Sequence, residues 1–178
     1  MDITNFEFFQ EPEIYETVNG KLILMPRPDL DHIELTGNLY RILLKYDFGR
    51  CAIFIEPNLY FGAQHLIPDF AIVCDPKIVA PNGLYGPPSI VAEILSPSSY
   101  RHDKFVKSKI YAENGIKEYW LIYPREKEIE IYIRTEDSGY DLTAAASFKE
   151  GGSVTSETFP FVVIDTLDLF RESPLFKK

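Results

Sequence analysis

The spacing of apolar residues changes several times along the chain, and each change marks an element. "YETVNGKLILMP" reads as a hairpin, with Asn19-Gly20 as its turn. In "DLDHIELTGNLYRILLKYD", Ile33, Leu35, Leu39, Ile42, Leu43 and Tyr46 fall at helical spacing, with Asp29 or Asp31 placed to cap. A strand-rich middle follows. "CAIFIEPNLYFG" reads as two strands joined at Pro57-Asn58, and "LIPDFAIVCDP" as another, opened by proline. "PKIVAPNGLYGPP" reads as a loop from its Pro and Gly content. "SIVAEILS" is an apolar strand with one acid, Glu93, at its centre.

"SPSSYRHDKFVKSKIYAENG" predicts a second helix. Serines 96, 98 and 99 offer caps, Pro97 suits the first helical position, and Gly115 suits the stop. "KEYWLIYP" is a buried strand in which Tyr119 and Trp120 fill the core. In "EIEIYIRTE", Ile129, Ile131 and Ile133 alternate with Glu128, Glu130 and Tyr132, so that strand has one wet face. From Ser138 the chain is turn-rich with weak strands, closed by a short helix near "DTLDLF". Residues 1–16 carry five acids and no base, and read as an exposed lead-in. Strands on both sides of helix 100–114 require a crossover, so the fold class is α/β or α+β around a mixed sheet.

A chain of 178 residues suffices for one domain with a true core. The formal net charge of −9 favours solubility and opposes non-specific binding to nucleic acid. Cys51 and Cys74 lie in strand-like surroundings without a C-x-x-C pair, and read as reduced core thiols. The start "MDITNFEFFQ" has no signal-peptide pattern, and no apolar run reaches membrane-span length, so a cytoplasmic location is expected.

Glu93 needs a reason, because an ionised carboxylate among Ile90, Val91, Ala92, Ile94 and Leu95 is costly unless paired. Asp69 stands 24 residues earlier, after a proline, and the loop between them is long enough to set the two strands side by side. Two bare carboxylates that converge repel, and a hard divalent cation such as Mg²⁺ relieves this while activating water for attack at phosphorus. For Asp69 the plain alternative is a turn-former; for Glu93 it is a structural ion pair. On the second helix, Arg101, Lys104, Lys107 and Lys109 stand against Asp103 alone, and Asp103, Lys107 and Tyr111 recur at four-residue intervals. Such a trio is either an ordinary surface pair or the source of a lysine that reaches the two acids. Glu34 and Glu56 default to solvated faces or ion pairs.

The block "PDFAIV…PPSIVAEILSPSSYRHDKFVKSKIYAENGIKEYWLIYP", with "YETVNGKLILMP" and "DHIELTGNL" before it, resembles the Uma2 family. That family, formerly DUF820 and common in cyanobacteria, is assigned as endonucleases similar to the PD-(D/E)XK restriction-endonuclease-like superfamily. The resemblance implies one such domain over residues 1–178, a mixed central sheet flanked by helices, an extra N-terminal hairpin and extra C-terminal strands. It implies Asp69 and Glu93 as ligands of Mg²⁺ or Mn²⁺. The superfamily's usual lysine, two residues after the second acid, is replaced here by Leu95; the matching lysine is Lys107 on the next helix, with Lys104 and Lys109 close by. His32 matches a family histidine and is a secondary candidate, against a structural role at a helix start.

The expected activity is hydrolysis of phosphodiester bonds in nucleic acid, with DNA as substrate. The acidity of the chain leaves only the lysine-bearing helix as a basic stretch, and a homodimer would join two of them. The alternative is a catalytically inactive nuclease-fold module for binding or interaction. A two-carboxylate sugar hydrolase ranks last, because the lysine-bearing helix has no task in it.

Overall fold

The computed structural model describes residues 13–137 and 139–173. The lead-in expected over residues 1–16 therefore lies mostly outside the described residues, and where it is described it is a strand. Strands β1 (Ile14–Val18) and β2 (Lys21–Met25) form the expected hairpin, with Asn19 and Gly20 at φ 50° and 76°. Both values lie in the left-handed region that such a two-residue turn demands. Helix α1 (Leu30–Leu43) is capped by Asp29, whose carboxylate accepts from the backbone N–H of His32.

Strands β3 (Ala52–Ile55), β4 (Leu59–Phe61), β5 (Gln64–Leu66) and β6 (Phe70–Val73) follow. The segment expected as a loop holds a turn and a minute hairpin, β7 (Val79–Ala80) and β8 (Gly83–Leu84), because β8 finds a parallel partner in β4. Next come β9 (Ile90–Ile94), the second helical segment, β10 (Glu118–Tyr123), β11 (Glu128–Arg134) and β12 (Tyr140–Ser147). A small pair, β13 (Ser153–Thr155) and β14 (Val163–Asp165), leads into the short expected helix α3 (Thr166–Leu169).

The central sheet has the order β12-β11-β10-β9-β6-β3, and only β9 and β10 run parallel. The second helical segment is the crossover between those two. A second sheet, β2-β1-β5-β4-β8-β7, covers part of one face. On the other face Leu35, Leu39, Ile42 and Leu43 of α1 pack on Phe70, Ile72, Ile90, Ala92 and Ile94. The opposite parity, Ala71, Val73, Val91 and Leu95, packs with Val18, Leu59, Leu66, Ile110 and Tyr111. By the two-residue period, Asp69 and Glu93 belong to this second face, between the sheet and the crossover helix. Tyr119 and Trp120 are buried, as expected.

The crossover opens with a reciprocal cap. Ser96 Oγ accepts from the Ser99 N–H at 3.1 Å, and Ser99 Oγ accepts from the Ser96 N–H at 3.0 Å, with Pro97 between them. His102–Lys107 then winds in wide π-type turns, with the Ser108 N–H bonded to the Asp103 carbonyl, before α2 (Ser108–Glu113). Gly115, at φ 87°, ends it.

The two cysteines are not reduced thiols. Cys51 and Cys74 form a disulfide. β3 and β6 pair antiparallel with Ala52 opposite Val73, so the residues one step further out meet across the ladder. Their apolar surroundings are strand neighbours, which sequence spacing alone does not reveal.

Candidate active site at the mouth of strands six and nine

Phe70 pairs with Ala92 in the antiparallel β6–β9 ladder, which sets Asp69 opposite Glu93 on the same face. On its other side Ile55 pairs with Phe70, and the Glu56 N–H donates to the Asp69 carbonyl at 3.0 Å. Glu56, Asp69 and Glu93 therefore stand on one line across three strands. All three line a cavity of about 350 Å³, together with His32, Asp103 and Lys107.

Asp69 is held at both oxygens. Oδ2 accepts from the Ile94 N–H at 2.5 Å, and Oδ1 lies 3.0 Å from His32 Nε2. Burial works against a charge on His32, but the Asp69 carboxylate outweighs it and raises the imidazole above its ordinary pKa. The cap at Asp29 fixes the first turn of α1, and with it the histidine.

Glu93 is 2% exposed. One oxygen, Oε1, takes both of its partners: the Tyr111 hydroxyl at 2.7 Å and Lys107 Nζ at 3.2 Å. Oε2 has no donor among the described residues. Burial pushes the Glu93 carboxyl well above its ordinary pKa, opposed by the Lys107 charge. Burial and the neighbouring Glu93 hold Tyr111 as a neutral hydroxyl, so it donates.

Lys107 is not on the surface. It is 1% exposed, and three carboxylates surround its ammonium: Glu16 at 2.9 Å, Glu93 at 3.2 Å and Asp103 at 3.3 Å. Burial disfavours the ammonium, yet these three anions hold its pKa well above normal. The π-type turns lie where Asp103 and Lys107 face inward; one added residue per turn is a common device at functional sites. The neighbouring lysines go elsewhere. Lys104 bonds Tyr123 and faces Glu130, and Lys109 is exposed beside Glu113.

Of the residues expected from sequence, Asp69, Glu93, Lys107 and His32 converge on the one cavity. Three others were missed. Glu16 is fully buried, accepts from the Ile67 N–H and His102, and pairs with Lys107. Attraction from His102 and Lys107 overcomes burial and lowers its pKa. Its signal was an acid at the parity of Val18 in an alternating strand, the same anomaly that singled out Glu93. Asp103, one member of the spaced trio on the second helix, is buried beside Lys107 and not on the surface. Glu56, expected on a solvated face or in an ion pair, is exposed but turned toward Asp69 and His32. Glu34 accepts from the Ser173 N–H.

The donor set fits a divalent cation. Hard oxygens converge, Asp103 Oδ1 is buried without a hydrogen-bond partner among the described residues, and three buried carboxylates share one lysine. The basic stretch anticipated on the second helix is correspondingly weaker at the surface, since Lys107 is internal.

The Uma2 family model, described as "Putative restriction endonuclease", matches residues 3–167. An uncharacterized protein of Synechocystis sp. is 24% identical over 136 residues, 74% of this chain and 72% of that protein. The crystal structure of a "putative nuclease belonging to DUF820" from Anabaena variabilis superposes with a TM-score of 0.73 at 22% identity, over 92% of this chain and 95% of the other. That likeness establishes the nuclease-like α/β fold. No helix among the described residues is long and apolar enough to cross a membrane.

Proposed function

Because the chain belongs to the Uma2 family, we propose that its cavity is the active site of a Mg²⁺- or Mn²⁺-dependent nuclease that hydrolyses phosphodiester bonds, with DNA as substrate. The observation that carries this reading is the placement of Asp69 opposite Glu93, with Lys107 Nζ 3.2 Å from the Glu93 carboxylate, in one open cavity.

Asp69 and Glu93 would hold the ion. When bound, it supplies Lewis-acid stabilisation of phosphate charge and a water of lowered pKa. The chain's own part is electrostatic. Asp29, Asp31, Glu56, Asp69, Glu93 and Asp103 line the cavity against Arg27, Lys107 and Arg125, so acids outnumber bases there and a bound cation would ease the approach of a phosphodiester. Lys107 and Tyr111 fix one Glu93 oxygen and leave the other toward the ion. Lys107 also supports the ionised form of Glu93 and stabilises charge that develops on the scissile phosphate. Glu16 and Asp103 keep that lysine charged and in place.

The test is cleavage of plasmid DNA by the purified chain with Mg²⁺ or Mn²⁺. Activity should vanish in chelator and in Asp69→Asn and Glu93→Gln. Cleavage that persists in both variants overturns the reading. A metal-dependent rise in melting temperature without cleavage of DNA or RNA would instead identify a binding module.

A further inference from the structure

Strand β2 is one edge of the second sheet, and among the described residues nothing pairs with its outer side. We infer that two copies of this chain meet at that edge, β2 against β2, antiparallel about a two-fold axis at Ile23. The inference stands apart from the nuclease reading, because its test reads mass and cross-links and not turnover.

The backbone is the first support. Val18 and Lys21 flank the two-residue turn and form a hydrogen-bonded pair, and bonded and non-bonded pairs alternate along an antiparallel ladder. Lys21, Ile23 and Met25 therefore bond to β1, whereas Leu22 and Leu24 turn their N–H and C=O groups outward. Among the described residues these outward groups have no partner. Set antiparallel about Ile23, Leu22 of one copy stands opposite Leu24 of the other, and every outward N–H meets a C=O. The opposite edge of the sheet, β7, is two residues long and too short to serve as a template.

The side chains are the second support. Leu22 is 72% exposed and Leu24 54%, and Tyr15, beside Leu24 in the ladder, is exposed as well. In the pair the leucines of both copies form one cluster on the outer face, flanked by Tyr15 from each. Charge points the same way. Each copy carries −9, so a contact between copies must avoid carboxylates. The strand "KLILM" has none, and its outer-face neighbours Tyr15 and Thr17 are uncharged. A foreign strand could meet the backbone groups, but the two-fold match of Leu22 with Leu24 favours a second copy.

The pairing also reaches the candidate active site. Lys21, Ile23 and Met25 share the inner face of β2, and Met25 lines the cavity beside Ile14 and Arg27. Lys21 of the partner subunit then stands opposite Met25. It brings a cation to the rim of a cavity in which acids outnumber bases. The lysine-bearing helix, expected to be what a homodimer joins, has no part in this contact, and its Lys107 is internal.

The experiment uses the full chain. Sedimentation at micromolar concentration should give twice the chain mass of 20.5 kDa, with tighter association as salt screens the net charge. In the double variant Leu22→Glu with Leu24→Glu, acids face each other across the axis, and the dimer dissociation constant should rise more than about 100-fold. Both leucines are exposed, so this variant keeps the fold, which circular dichroism checks. Ile23→Cys should cross-link to its own copy in oxidised glutathione, because facing non-bonded residues have Cα atoms about 4.5 Å apart. Cys51 and Cys74 are already bonded to each other and leave the new thiol alone. Leu44→Cys, exposed at the end of α1, should not cross-link. The inference is overturned by a monomeric wild type, by a dimer that survives the double variant, or by a folded Ile23→Cys that links no faster than Leu44→Cys. If the dimer forms through β2 but neither DNA nor RNA is cut, the interface stands and the nuclease reading falls. If a monomer cuts, the reverse holds.

Discussion

Glu16 and Lys107 form an ion pair of 2.9 Å that solvent does not reach, between the first described strand and the crossover helix. The pair joins the N-terminal hairpin to the candidate active site. Removing Glu16 leaves Lys107 its Glu93 and Asp103 partners but deprives the Ile67 N–H and His102 of their acceptor, at a cost of about 1–3 kcal/mol. Glu16→Ala should lower the unfolding free energy by about that amount in urea titration. A change under about 1 kcal/mol would mean that the pair carries little of the fold.

Tyr111 donates to Glu93 from within the core. Tyr111→Phe keeps the ring and deletes the donor, so the expected loss is about 1–3 kcal/mol by chemical denaturation. Unchanged stability would contradict a formed hydrogen bond at that carboxylate.

Lys107 alone among the helix lysines reaches the site. Lys107→Met should reduce metal-dependent cleavage about 100-fold or more, while Lys109→Met leaves it within about twofold. Equal losses in the two variants would place the cationic role elsewhere.

The metal-free protein should lose stability as pH rises. Glu93 and Asp103 have raised pKa values because burial disfavours their ionised forms. The folded state then holds protons more tightly than the unfolded chain, so stability falls as pH climbs from the ordinary carboxyl values of 4.5 and 3.8 toward the raised ones. His32, also raised, contributes stability that is full below 6.5 and lost as pH passes its folded value. Melting temperature in chelator should therefore decline with pH, and less steeply in Glu93→Gln. Identical slopes would remove Glu93 from the titration.

The Cys51–Cys74 disulfide closes a separation of 23 residues. Its reduction should cost about 3 kcal/mol by the loop-closure argument. Thermal melts with and without dithiothreitol measure this, and thiol counting on denatured protein isolated without reductant should find neither cysteine free.

Much of the fold was written in local pattern. Asn19-Gly20, the helical spacing from Leu35 to Leu43, Pro97 behind Ser96, and Gly115 at the helix end each act within a few residues and fall where expected, whereas Ile33 is exposed and Tyr46 lies beyond the helix. The hairpin at residues 79–84 escaped notice because its strands are two residues long and depend on β4 for a partner. The cysteine bond escaped because it follows from the register of β3 on β6.

The candidate site divides in the same way. An acid in an apolar strand announces itself, so Glu93 was legible from its neighbours alone, as were the Asp103, Lys107 and Tyr111 spacing and the proline before Asp69. What the sequence could not contain was the company these residues keep. Only the folded chain brings Glu16 across from the first hairpin to Lys107, turns Glu56 toward His32, and lines three carboxylates up across neighbouring strands. The reason is physical: local preference acts through adjacent backbone, whereas compensation of a buried charge is decided by whichever distant strand or helix the tertiary packing places within a few ångströms of it.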